Sequence, residues 1–100
     1  MLVQFTDKQV SLMRSALDKW GLKAQVGQAV EECAELIVIL QKYVNREPQP
    51  DTSDRILDEI ADVEMMLSQL RLALNIDDET LRERIEQKFE KLNQYLSGEK

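Results

Sequence analysis

The chain has two prolines, and they stand two positions apart, at Pro48 and Pro50. Proline breaks a helix by removing a backbone donor and clashing with the turn before it. Residues 1–47 and 51–100 are therefore each free of the strongest helix breaker. Glycine interrupts them only at Gly21, Gly27 and Gly98. Long stretches of this kind, rich in Glu, Leu, Lys and Gln, are built as long helices. The expected fold class is all-α.

Hydrophobic spacing divides the chain further. A first helix is expected from Asp7 to Lys19, with Val10, Met13, Leu17 and Trp20 at helical intervals. Thr6 and Gln9 form a capping box ahead of it, and Gly21 stops it. The second and longest helix runs from Lys23 to Arg46 on the stripe Val26, Val30, Cys33, Ile37, Leu40, Val44. Gly27 lies inside it at a cost of about 1 kcal/mol relative to Ala, which marks either a close backbone approach or simple tolerance. Asn45–Ser53 is the one clear loop. A third helix, Asp54–Leu74, carries Ile56, Ile60, Val63, Leu67, Leu70 and Leu74. After a short link, a fourth, Asp78–Leu96, faces Leu81, Ile85, Phe89, Leu92 and Leu96 inward, with Asp77 or Asp78 as its cap.

These lengths predict one domain over residues 1–100, four-helix bundle-like. The two long central helices lie antiparallel, and the first and last helices cover them. Ile39, Tyr43, Leu57, Met65 and Leu72 fall off the main stripes. An apolar arc that wide implies a second buried face, hence a homodimer or homotetramer.

Absences narrow the chemistry. There is no histidine, which excludes Ser-His-Asp and Cys-His catalysis, H-E-x-x-H zinc sites and Glu-x-x-His di-iron sites. The single cysteine, Cys33, makes no internal disulfide and fits a reducing cytoplasm; its simplest place is the core. A net charge of −6 suits neither a nucleic-acid backbone nor an anionic membrane, so no nucleic-acid or membrane partner is expected. No apolar run approaches the ~20 residues of a membrane span, and no signal peptide is visible.

The acids are placed as no solvated face requires. Glu32 and Glu35 stand three residues apart on the second helix, and Glu59 and Asp62 do so on the third. Each pair therefore projects to one side of its helix and repels itself. Glu32 shares its face with Ala29, Leu36 and Ile39; Glu59 shares its face with Ile56, Val63 and Met66. Glu35 and Asp62 lie at the edges of those arcs. Four carboxylates brought between two helices would raise one another's pKa values unless a cation joined them. Oxygen donors without His or Cys suit Mg²⁺, with Mn²⁺ as the alternative.

Glu31-Glu32-x-x-Glu35, then Glu59-x-x-Asp62, resembles the signature of the MazG-like all-α nucleoside triphosphate pyrophosphohydrolases. Lys19-Trp20-Gly21 and Gln25 ahead of the acids and Asp58-Glu59-Ile60-Ala61-Asp62-Val63 within them extend the likeness over about Leu17–Asn75. The resemblance implies hydrolysis of a nucleoside triphosphate to the monophosphate and pyrophosphate, with Glu32, Glu35, Glu59 and Asp62 as metal ligands. The chemistry of a phosphate anhydride fits, because carboxylates, phosphate oxygens and waters complete a Mg²⁺ octahedron. Glu35 is the candidate to take the attacking water's proton. Lys42, Lys88 and Lys91 are candidates for the triphosphate tail, Trp20 for stacking on a base and Gln25 for reading its edge. The alternative is a non-enzymatic helical bundle that binds or regulates a partner. It accounts for the stripes but not for acids on apolar arcs.

Overall fold

A computed structural model of the chain describes residues 4–45 and 49–98, and all of its regular structure is helical. The elements are α1 (Asp7–Asn45), α2 (Thr52–Ala73) and α3 (Asp78–Leu96). The first two expected helices are one element with a break at Gly21, whose φ of 85° and ψ of 166° are not helical. Only glycine occupies that region without strain, so the break falls where the backbone permits it. The central part of the expected Asn45–Ser53 loop and the end of the second helix at Arg46 lie outside the described residues.

Local chemistry sets the helix ends. The Thr6 amide donates to Gln9 Oε1 at 2.8 Å and the Gln9 amide donates to Thr6 Oγ1 at 3.1 Å, a complete capping box. Asp77 caps α3, accepting from the Thr80 amide at 2.7 Å. At the end of α2, Asn75 takes a positive φ of 55°. The amides of Ile76 and Asn75 then donate to the carbonyls of Arg71 and Leu72, closing the helix.

Among the described residues, α1 and α2 form the packed pair. The face of α1 that meets α2 is Gln25, Ala29, Glu32, Leu36 and Ile39, with Ile39 only 3% exposed. From α2 come Ile56, Glu59, Val63, Met66 and Gln69. The more apolar stripe expected to face inward on α1 instead faces out, Val30, Ile37 and Val44 being mostly exposed. Ile60 and Leu67 of α2 and Leu74 at its C-cap are likewise open. On α1 the acid-bearing arc thus packs inward and the richer apolar arc turns outward, whereas the expected stripe of α2 is split, Ile56, Val63 and Leu70 being half-buried. A Cβ added at Gly27 would meet nothing within 4 Å, so no backbone approach inside the chain explains that glycine.

The fourth expected helix, α3, does not cover the pair. It buries no residue, and Phe89, Leu92 and Leu96 are open. Its first turns touch the rest through Arg71 and Asp78 at 3.8 Å and through Arg82, which shares a cleft with Phe5, Met13 and Leu72. The accessible surface of 8267 Å² compares with about 5,800 Å² for a folded monomer of this mass. The radius of gyration is 16.4 Å, against about 13 Å for a compact chain of this length.

Candidate metal centre

Glu32 lies at the middle of the α1 contact face and Glu59 and Asp62 on the facing side of α2. Each offers one carboxylate oxygen, and the three oxygens lie within 4.8 Å of one another. All three side chains are half-buried. Gln28, one turn before Glu32, donates from Nε2 to Glu32 Oε1 at 2.9 Å. The second oxygen, Oε2, of both Glu32 and Glu59 is buried without a hydrogen-bond partner.

The electrostatics follow from that crowding. Burial is the main cause that pushes the Glu32 carboxyl above its ordinary value; Gln28 opposes it, and Glu35 and Asp62 add to it by charge repulsion. Burial likewise raises Glu59, followed by repulsion from Glu35, Asp62 and Glu32. No basic group of the described residues forms an ion pair with the trio. Buried carboxylate oxygens without donors are costly; a proton shared between Glu32 and Asp62 or between Glu59 and Glu35 meets two at a time, and a divalent cation would satisfy several at once. An all-oxygen set of three carboxylates fits a hard cation. The residues present therefore suit a metal site.

Glu35, the fourth expected ligand, is exposed and stands outside this trio. It is close enough to raise Glu59, and the two line a second cleft of about 390 Å³ with Glu31, Ile39 and Arg55. On the other side of the carboxylates is a cleft of about 490 Å³, lined by Glu32, Asp62, Gln25 and Trp20. Two of the expected nucleotide contacts are thus gathered beside the acids. Lys19 lies 5.4 Å from the Trp20 ring centre, over its face. Lys42 is exposed near the end of α1, and Lys88 and Lys91 are exposed on α3. Because α3 packs on neither α1 nor α2, those two lysines stand apart from the carboxylates within one chain.

Gln69 went unread in the sequence, and Arg55 was read only as a basic partner for Glu59. Gln69 is 8% exposed on the wall of the Trp20 cleft with its Oε1 buried and unpartnered. Its signal was its register, four and seven residues on from Asp62 being Met66 and Gln69 on one face. Arg55, one turn before Glu59, lines the Glu35 cleft.

Comparison with family models, with curated proteins and with solved structures returned no match to this chain.

Proposed function

We propose that the protein is a metal-dependent nucleoside triphosphate pyrophosphohydrolase, converting a ribo- or deoxyribonucleoside triphosphate and water into the monophosphate and pyrophosphate. The observation that carries this reading is the pair of buried, unpartnered oxygens of Glu32 and Glu59 beside Asp62. Glu32, Glu59 and Asp62 would hold Mg²⁺ or Mn²⁺, with Glu35 joining them or acting as base. When bound, the metal stabilises charge on the phosphates and activates water. The chain does the rest. Gln28 fixes the orientation of Glu32. Glu35, exposed beside Glu59, accepts the proton of the water that breaks the anhydride between the α- and β-phosphoryl groups. Trp20 and Gln25 hold the nucleoside, and Lys42, Lys88 and Lys91 neutralise the departing phosphates. The MazG-like resemblance of the acid pairs supports the same assignment.

The proposed assembly is a homodimer or homotetramer in which the central pair is antiparallel and a bundle is completed by another copy. The order of residues along the two clefts supports the antiparallel sense, Gln25 sharing one with Gln69, and Ile39 the other with Arg55. The surface excess, 8267 less about 5,800 or roughly 2,400 Å² per chain, is of the size that obligate interfaces bury. A partner's α3 would then carry Lys88 and Lys91 to the clefts. A single cysteine suits a cytoplasmic setting.

The test is pyrophosphate release from a panel of all ribo- and deoxyribonucleoside triphosphates with Mg²⁺. Release that disappears in Glu32→Gln and in EDTA supports the assignment. No release from any nucleotide, or equal release by Glu32→Gln, overturns it. The open apolar stripes of α1 and α3 favour the second reading, a bundle that binds a different protein; an inactive chain that is monomeric alone would direct attention there.

A further inference from the structure

The carboxylates account for one end of the 490 Å³ cleft but not for the other. There Gln69 and Gln25 are 8% and 7% exposed, one from each helix, between Trp20, Ala24 and Met66. Apolar walls with a few placed polar groups, at a volume of several hundred Å³, are the form of a small-molecule site. Gln69 Oε1 has no hydrogen-bond partner. Turning the amide over would put an unmet donor where the unmet acceptor stands, so the end of this side chain lacks a partner either way. A buried carboxamide in that state costs the fold stability unless an ordered water or a bound molecule completes it.

The spacing defines that molecule. Gln69 follows Asp62 by seven residues, about 10 Å along the helix. In a nucleotide the ribose and base together set a comparable distance between the phosphate and the far edge of the base. A carboxamide carries an acceptor and a donor side by side, which matches a base edge presenting an N–H beside an acceptor. Proteins that hold a base outside a duplex read it in this way, with its faces against aromatic and apolar side chains.

We infer that Gln69 is a specificity-determining residue of the cleft, reading the base-pairing edge of a nucleoside packed against Trp20 while the phosphates lie toward Glu32 and Asp62. This assignment rests on the nucleotide reading above and adds to it the group that selects the base.

The test uses neutral nucleosides in EDTA, so that neither metal nor phosphate repulsion enters. Adenosine, cytidine, guanosine and uridine, with ribose as control, are titrated into the ¹⁵N-labelled full-length protein. The single indole N–H of Trp20 and the Gln69 side-chain amide report binding by NMR. At least one nucleoside should shift both signals at concentrations where ribose shifts neither. Gln69→Met and Gln69→Leu should weaken that nucleoside by roughly 10- to 100-fold. Blocking the base N–H by methylation should weaken it comparably in the wild-type protein. The variants should melt no lower than wild type, because they remove an unpaired buried polar atom. Unchanged affinity in both variants, no preference over ribose, or variants that melt well below wild type would each overturn the inference. Pyrophosphate release plays no part in this readout, so a chain without turnover can still pass it, and a hydrolase can still fail it.

Discussion

Gln28 Nε2 donates to Glu32 Oε1 at 2.9 Å and leaves Glu32 Oε2 buried with no partner. One oxygen of the carboxylate is held while the other stays free to bind. Removing the holding group should therefore loosen a metal without removing a ligand. Gln28→Leu should weaken Mn²⁺ binding by roughly 10-fold or more, the usual effect of losing a group that orients a ligand, and should leave the helix content unchanged. Titration calorimetry checks this. Affinity equal to wild type would show that the hydrogen bond orients nothing.

Glu32→Gln and Glu59→Gln should each abolish turnover and raise the melting temperature of the metal-free protein, because each relieves burial of a charge among like charges. Glu31→Gln, at an exposed position, should be milder. Thermal unfolding in EDTA beside a pyrophosphate assay separates the two effects. A Glu32→Gln protein that is unfolded by circular dichroism, or fully active, would contradict the site.

The pH dependence of the metal-free protein has a definite sign. Glu32 and Glu59 have ordinary values of 4.5 and are raised in the folded chain, mainly by burial. Between 4.5 and the raised values the folded state binds more protons than the unfolded state, so stability falls as pH rises through that window. Urea midpoints in EDTA should therefore decline over this range relative to the Glu32→Gln, Glu59→Gln double variant. Asp77 works in the opposite sense. The Thr80 amide holds it below its ordinary 3.8, so its contribution is present above that value and lost as pH falls through the lowered one.

Mg²⁺ or Mn²⁺ should raise the melting temperature by mass action, and NaCl at matched ionic strength should not. Equal shifts from both salts would indicate charge screening alone.

Light scattering at micromolar protein should give at least twice the single-chain mass. Phe89→Glu, on the open stripe of α3, should reduce it toward one chain while sparing Mn²⁺ binding, since Glu32, Glu59 and Asp62 come from two helices of one molecule. A single-chain mass for the wild type would remove the assembly but not the metal centre.

Features decided within a turn or two were legible in the sequence. The Thr6–Gln9 capping box, the Asp77 cap and the break at Gly21 depend on neighbours only, and residue type announces them. Glu32, Glu59 and Asp62 were legible because acids on apolar arcs demand a common partner. The choice of contact face was not. Periodicity ranks Val30 and Ile37 above Ala29 and Glu32, but it does not say which of two adjacent arcs the facing helix meets. Gln69 was silent for a related reason: a glutamine within a helix is ordinary until the far wall of its cleft is known.

Gly21 divides the lining of the 490 Å³ cleft between two helical segments. Ala16 and Trp20 come from the segment before it, and Gln25, Gln28 and Glu32 from the segment after it. An L-residue at position 21 would meet no atom within 4 Å, yet it would be strained by about 1–3 kcal/mol at that φ and ψ. The position of Trp20 beside Gln25 and Glu32 thus depends on a backbone turn that only glycine makes without strain, so a residue with no side chain sets the aromatic wall of the cleft.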